Sequence, residues 1–268
     1  MTGMSLLTGG WDWEPSVVAG CAALALGYLA LTRRDISRRT AYFLAGVLLL
    51  LLDLVSPIDL LGDRYLFSAH IAQHFVLALV VPPLLVLGIP RWLAEKALNR
   101  DFIPLPVAWL LGVGTMIVWH IPVFFNAALA SEGLHIFQHL SFLATGVIFW
   151  WPVLTPLEAR RVSPLMGISY LFSACICCSL LGAALTFSPP GLYPAYLNPA
   201  DGLGLLPLLR DQWGLTAKND RQLGGLLMWV PGCFVYLAGI LAIVTRWYGE
   251  ERYEQDRFKE ERYRKETA

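Results

Sequence analysis

The chain has 268 residues, of which 56% are hydrophobic and only 15% are charged, and its mean hydropathy is +0.56. Soluble globular domains carry about 25% charged residues, so this composition argues against a soluble protein and favours one embedded in lipid. Twenty basic and 20 acidic residues leave no net charge, and nothing in this balance indicates a nucleic-acid partner.

Seven apolar runs are long enough to cross about 30 Å of hydrocarbon, which takes about 20 helical residues. In chain order they cover residues 14–32, 40–56, 68–89, 104–121, 134–154, 164–187 and 223–247. Prolines inside some of these runs are compatible with membrane helices, because neighbouring helices can satisfy the freed backbone groups. The sequence therefore predicts an all-α integral membrane protein with a bundle of seven transmembrane helices in residues 1–248 and a charged cytoplasmic tail at 249–268.

The positions of lysine and arginine predict the orientation. If the N-terminus lies outside, the inner segments hold 16 of the 20 basic residues. These are Arg33, Arg34, Arg38, Arg39, Arg91, Lys96, Arg100, Arg160, Arg161 and the seven from Arg246 to Lys265. Only Arg64, Arg210, Lys218 and Arg221 fall in outer segments, and the last three lie in the long outer loop 188–222. Because cytoplasmic loops are enriched in basic residues, we expect the N-terminus outside and the C-terminus in the cytoplasm.

Four of the five histidines occupy two near-copies of one pattern, HIAQH at 70–74 and HIFQH at 135–139. Histidines four residues apart lie on one face of a helix, one turn apart. At a rise of 1.5 Å per residue, these four and His120 all lie roughly 25–37 Å above the inner boundary. Single histidines at this depth usually bond to water, headgroups or backbone. Five of them on three consecutive spans instead predict a metal site formed by His70, His74, His120, His135 and His139.

The residues around these histidines indicate which chemistry to expect. Ile71 and Ile136 stand where a zinc hydrolase of the H-E-x-x-H type carries its general base, so hydrolysis is not indicated. Met228 and Met116 are predicted at about the same depth as the histidines. Thioether together with imidazole favours copper, especially Cu(I), and Met228 is therefore included among the predicted ligands, although methionine in a membrane helix often only fills space.

Other polar residues in or near the spans are compatible with more than one role. Cys175 and Cys178 share a helix face while Cys177 does not, and packing is favoured over a soft-metal relay for all three. Asp53 lies inside an apolar run, where an acid is costly; it could support the outer site or make a buried hydrogen bond. Glu132 and Asp63 in outer loops could orient the imidazoles or could simply be solvated.

Eight short stretches follow one another along the chain in a distinctive order. They are SPID (56–59), LFSAHIAQH (66–74), VPPLLVLGIP (81–90), WHIP (119–122), HIFQHLSF (135–142), GVIFWWP (146–152), YPAY (193–196) and DRQLGGLLMWVPG (220–232). Taken together, they resemble the CtaG family of polytopic cytochrome c oxidase assembly proteins. The family's D-x-Q-x-G-G-x-x-M-W signature falls on Asp220, Gln222, Gly224, Gly225, Met228 and Trp229. The order and spacing of the stretches, more than any one of them, carry the resemblance.

The resemblance implies a non-enzymatic assembly factor for a haem–copper oxidase in the bacterial plasma membrane. Its expected partners are oxidase subunits or other assembly factors, and its expected cargo is copper, as Cu(I), for the catalytic subunit. Two alternatives stay open. One is a haem-binding redox protein with two axial histidines, and the other is a metal-free structural or proton-handling membrane protein.

Overall fold

The computed structural model describes residue 6 and residues 8–33, 37–97 and 103–266, and all regular structure in these residues is helical. The main helices, numbered in chain order, are α1 Pro15–Leu31, α2 Arg38–Val55, α3 Pro57–Arg64, α4 Phe67–Gly88, α5 Arg91–Ala97, α6 Leu105–His120, α7 Pro122–Ala130, α8 Glu132–Leu154, α9 Pro164–Phe187 and α10 Ala217–Glu266. A helix lies over each of the seven apolar runs.

By length and composition, α4, α8, α9 and the apolar part of α10 each qualify as a membrane span. Two bent pairs, α2 with α3 at 49° and α6 with α7 at 75°, raise the number to six if each pair is one span. Helix α1 is apolar but has only 17 residues. The chain is therefore a multi-pass helical membrane protein with four to six candidate spans in its described part. The seven-span topology and its orientation stay predictions, and Arg34 and Arg100, which entered that orientation, lie outside the described residues.

Prolines explain both bends. Pro57 begins α3 directly after Ser56, whose backbone is extended with ψ near 168°, and Pro122 begins α7 after the extended Ile121. A residue that precedes proline is disfavoured in the helical region, while proline itself suits the first helical position. The chain therefore turns at these two points and starts a short helix. Both turns lie at the end of the bundle that carries the histidines, because His120 is the last residue of α6.

Helix α4 lies at the centre of the bundle and packs against α2, α3, α8 and α10. Its middle, Val76–Val80, is a π-helical turn that comes directly after His74 and shortly before Pro82 and Pro83. Proline cannot donate a backbone hydrogen bond to the preceding turn, and a local widening of this kind is frequent at functional sites. The histidine pair of α4 is therefore carried by the regular half of a helix that is widened just below it.

The long loop 188–216 folds back over the histidine-bearing end in short turns, Pro190–Leu192, Pro194–Tyr196 and a π-helical turn at Pro207–Gln212. Helix α10 then returns through the bundle and continues without a break into the charged tail as far as Glu266. The last two residues of the predicted tail lie outside the described residues.

Candidate metal centre

The five histidines converge at one end of the bundle, where α4 and α8 begin and α6 ends. Within each H-I-x-Q-H stretch the ring centroids are 4.3 Å apart for His70 and His74 and 4.2 Å apart for His135 and His139. Between helices, the centroids are 5.2 Å apart for His70 and His135, 5.7 Å for His74 and His139, and 5.5 Å for His74 and His120. All three predicted helices therefore contribute imidazoles to one continuous cluster.

Each of these rings has at least one buried nitrogen without a hydrogen-bond partner among the described residues. Nδ1 of His120 lies 2.6 Å from the carbonyl oxygen of Met116. Because a carbonyl only accepts, this nitrogen carries the proton, and the unpaired Nε2 of His120 presents a lone pair. A buried polar atom without a partner is costly, and seven such nitrogens on five neighbouring rings are readily explained if the rings are ligands of a cation.

Three of the histidines already approach the geometry of a metal site. One nitrogen from each of His70, His135 and His139 lies within 4.8 Å of the other two. Two nitrogens bound to one ion at about 2.0–2.1 Å are separated by at most about 4.2 Å. A small adjustment of these side chains is sufficient to bring the three nitrogens onto one ion, so the residues present fit a metal.

Deeper in the bundle, His74 and His120 line a second, smaller space together with three sulfur-bearing residues. This buried cavity has a volume of about 20 Å³, and its lining includes Met116, Met228 and Cys178. Apolar side chains close the rest of the wall, among them Ile71, Leu79 and Phe142. Imidazole and thioether groups therefore face the same small volume, as the sequence predicted for Met228.

On its other side, the histidine cluster opens into a cavity of about 730 Å³ between α1, α3 and α8, which we call the vestibule. His135 and His139 lie in its wall. Its carboxylates are Asp12, Glu14, Asp59, Asp63 and Glu132, and the described lining contains no lysine or arginine. A cavity lined by one sign of charge raises the local concentration of the opposite ion, so the vestibule favours cations.

Residues 22–250 match the family model described as cytochrome c oxidase caa3 assembly factor (Caa3_CtaG). The chain belongs to this Caa3_CtaG family. Two uncharacterized mycobacterial proteins are also similar, one from Mycobacterium leprae with 24% identity over 88% of this chain and one from Mycobacterium tuberculosis with 25% over 90%. The chain spans only 39% and 40% of the lengths of these relatives. No solved structure matches.

Asp220, the first residue of the Caa3_CtaG signature on α10, holds the start of the first histidine helix. Its carboxylate accepts hydrogen bonds from the backbone nitrogens of Phe67 at 2.8 Å and Ser68 at 3.0 Å, and from the Ser68 hydroxyl. A carboxylate at a helix N-terminus pairs with otherwise unsatisfied N–H groups and with the helix dipole. Gly224 lets the two helices approach, because a Cβ there would lie 2.6 Å from the Phe67 ring. Asp220 and Gly224 thereby fix the position of Phe67 at the start of α4, and with it the position of His70 three residues later.

The glutamine of the first H-I-x-Q-H stretch ties α4 to the bend between α2 and α3. Gln73 donates to the carboxylate of Asp59 at 2.8 Å and to the backbone carbonyl of Asp53 at 3.2 Å. Asp53 itself is buried, and its Oδ2 has no hydrogen-bond partner in the described part of the chain. Asp53 is therefore linked to the site through its backbone. The equivalent glutamine, Gln138, is buried with both amide atoms unpaired among the described residues.

Two tyrosines of the YPAY stretch fasten the loop 188–216 over the cluster. Tyr193 donates to the carbonyl of His120 and Tyr196 donates to the carbonyl of Gly62, each at 2.7 Å. The Tyr193 ring also stacks on Phe67 with centroids 4.8 Å apart. Burial raises the pKa of both phenols above its ordinary value, so both stay protonated and remain donors. Neither contact could be predicted from the sequence, because nothing in the pattern relates residue 193 to residue 120 or residue 196 to residue 62.

The remaining predicted residues have distinct positions. Asp63 lies in the vestibule with its Oδ1 3.6 Å from Nε2 of His135, and Glu132 lies in the same wall. The Cys175 thiol donates to Cys233 at 3.4 Å, and the Cys178 thiol donates to the carbonyl of Met228 at 3.5 Å. Cys178 thus borders the small inner cavity, whereas Cys175 pairs between α9 and α10. That Cys175, Cys177 and Cys178 serve packing and do not bind a metal stays a prediction.

Proposed function

We propose that the protein assists the assembly of a haem–copper cytochrome c oxidase by binding Cu(I) at the histidine cluster and delivering it to the catalytic subunit. In this proposal the protein is not an enzyme. It lies in the bacterial plasma membrane with the cluster facing outward, and its partners are oxidase subunits or other assembly factors. Membership of the Caa3_CtaG family supports oxidase assembly, and copper as the cargo is inferred from the side chains.

One observation carries the copper assignment, namely that five imidazoles, each with a buried unpaired nitrogen, meet beside two thioethers. Imidazole binds several transition metals, while thioether sulfur selects soft ions such as Cu(I). The cluster contains no thiolate-rich cage, and ligation by neutral groups suits an ion that must be released again. The vestibule gives a cation a route to His135 and His139.

Neither alternative is favoured by a specific observation. A haem needs two axial ligands on opposite faces, whereas both histidines of the vestibule wall come from α8. The inner cavity, at about 20 Å³, is the size of a single small ion and far too small for a porphyrin. A metal-free role leaves the unpaired nitrogens of the cluster without a function.

Metal analysis of the purified full-length protein tests the proposal. The wild-type protein, loaded with Cu(I) under reducing conditions and desalted, is expected to retain copper stoichiometrically. The double variant His70→Gln/His74→Gln keeps polar side chains of similar size and is expected to lose most of that copper. Asn126→Ala, at the same end of the bundle, serves as the control and is expected to match wild type. If the histidine variant retains as much copper as wild type, the assignment of the site is wrong.

A second experiment tests the role in assembly. Cells that lack the protein are expected to make an oxidase whose haem is inserted but whose copper signal is missing from the optical and electron paramagnetic resonance spectra. An oxidase with normal copper content in such cells contradicts copper delivery. A Soret band in the purified Caa3_CtaG protein itself would instead favour the haem alternative.

A further inference from the structure

We infer that the histidine cluster holds two copper ions at two separate positions and not one ion shared by five imidazoles. The outer site is formed by His70, His135 and His139, and the inner site by His74, His120, Met116 and Met228. This inference rests on the proposed function, because it divides the same cluster, but it makes a separate claim about the number of ions and the donor atoms of each.

The spacing of the rings favours two positions over one ion shared by all five imidazoles. Ligand nitrogens of one ion lie within about 4.2 Å of each other, and the group that approaches this condition contains His70, His135 and His139. His120 is reached through His74, with ring centroids 5.5 Å apart. His74 in turn adjoins both His70 and His139, at 4.3 and 5.7 Å. The cluster is therefore extended, with His74 between its two ends.

The inner cavity matches one ion in size. Its volume of about 20 Å³ slightly exceeds the roughly 10–15 Å³ that a single water molecule requires. Only one small ion fits, and no hydrated ion does. An ion at this position has to exchange its water for donors of the wall, which include the imidazoles of His74 and His120 and the thioethers of Met116 and Met228. The Cys178 thiol borders the same cavity, but its hydrogen is donated to the carbonyl of Met228.

The two positions differ in chemistry. The outer site offers imidazole only and borders the acidic vestibule, where Asp63 approaches His135. Imidazole accepts zinc and both oxidation states of copper. The inner site adds sulfur and is enclosed by apolar groups such as Ile71 and Phe142. Soft donors and a low local dielectric favour a soft monovalent ion over a hard or divalent one. We therefore expect the outer site to be permissive and the inner site to select Cu(I).

The arrangement also defines a direction of travel. An ion that enters through the vestibule meets His135 and His139 first, passes to His70 and reaches the inner site through His74. Each step exchanges one copper–nitrogen bond for a bond to the next donor, and copper stays Cu(I) throughout, so no oxidant or reductant is consumed. Neighbouring rings 4.2–5.7 Å apart allow this exchange without release of the ion into solvent.

The experiment counts ions and identifies donors in the full-length protein. Wild type titrated with Cu(I) is expected to retain two equivalents and to show both nitrogen and sulfur neighbours in X-ray absorption. Met116→Leu/Met228→Leu is expected to retain one equivalent with nitrogen neighbours only. His135→Ala/His139→Ala is expected to retain one equivalent with sulfur neighbours. Met166→Leu, an exposed methionine on α9, is the matched control and is expected to keep two.

A measurement on unmodified protein keeps the inference testable even if a variant fails to fold. Wild type given one equivalent of Zn(II) and one of Ag(I) is expected to bind both, with sulfur neighbours around silver only. Retention of a single copper ion by wild type, or an absence of sulfur neighbours around silver, overturns the two-site inference while leaving the proposed function intact. Failure of wild type to retain any copper overturns the proposed function itself.

Discussion

A single hydrogen bond decides what His120 can do. Because Nδ1 donates to the carbonyl of Met116, 2.6 Å away, the imidazole is fixed in one tautomer and one rotation, with Nε2 as its only free lone pair. His120 and Met116 lie one turn apart on α6, and both line the inner cavity. Partners of this kind orient a metal-binding histidine and increase its basicity. The orientation and tautomer of His120 are thus fixed in the absence of an ion.

Tyr193, in the loop 188–216, donates a hydrogen bond to the carbonyl of His120. Removal of its hydroxyl is expected to lower the stability of the fold. In Tyr193→Phe the carbonyl of His120 loses a buried donor, which is expected to destabilise the fold by about 1–3 kcal/mol. The expected result is a thermal unfolding midpoint lowered by a few degrees in detergent, together with weaker Cu(I) retention. Tyr248→Phe, which alters a largely exposed tyrosine on α10, is the control. Equal midpoints for Tyr193→Phe and wild type contradict a supporting role for this bond.

At the level of helices, α10 satisfies the ends of two others. Asp220 accepts from the first backbone nitrogens of α4, while the neighbouring Arg221 donates to the last carbonyls of α9, at Leu185 and Thr186. A negative group at a helix N-terminus and a positive group at a C-terminus both complement the helix dipole. Two adjacent residues of opposite charge therefore fix the relative height of three helices at the end where the histidines lie.

Neutralising Asp220 tests this arrangement. Asp220→Asn keeps the size of the side chain but removes its charge and one acceptor oxygen, and the native carboxylate is fully buried. We expect a loss of about 1–2 kcal/mol in stability and a lower Cu(I) affinity, because His70 lies in the first turn of α4. The check combines thermal unfolding with copper titration. Asp211→Asn, which changes an exposed carboxylate of the same loop region, is expected to leave both values unchanged; an equal effect of the two substitutions rules out a specific capping role.

The sequence periodicity predicted that the histidines would lie close together, but it did not predict which of them would face each of the two cavities. The four-residue spacing and the position of each pair near a helix end predicted that His70, His74, His135 and His139 would meet. Which ring faces the vestibule and which faces the inner cavity depends on the rotation of α4 and α8 about their axes, which tertiary packing sets. The capping role of Asp220 could not be predicted either, because it joins residues more than 150 positions apart. The predicted apolar runs 40–56 and 104–121 end directly before Pro57 and Pro122, but the short helices that follow these prolines were not predicted.

At the scale of the whole molecule, charge and polarity change in steps along one path. Carboxylates surround the vestibule, imidazoles lie at its inner wall, and thioethers and apolar side chains enclose the last cavity. A cation moving inward thus meets hard, then intermediate, then soft donors, an order that dehydrates it progressively. The acidic outer stage acts at long range and therefore affects the rate of capture more than the final occupancy.

The rate of copper uptake tests this division of roles. Asp12→Asn/Glu132→Gln neutralises two exposed carboxylates of the vestibule wall without changing a predicted ligand. The expected result is a several-fold slower association of Cu(I) at low ionic strength and a weaker dependence of the rate on salt, because screening acts on the charges that were removed. Stoichiometry at saturating copper is expected to equal that of wild type. Stopped-flow uptake at several salt concentrations measures the association rate and its dependence on salt.

The double variant Glu95→Gln/Glu158→Gln is the control. It removes the same charge at the opposite end of the bundle and is expected to leave the rate unchanged. Equal rates for the two double variants show that the vestibule does not steer the ion, whereas a loss of copper at saturation places Asp12 or Glu132 among the ligands.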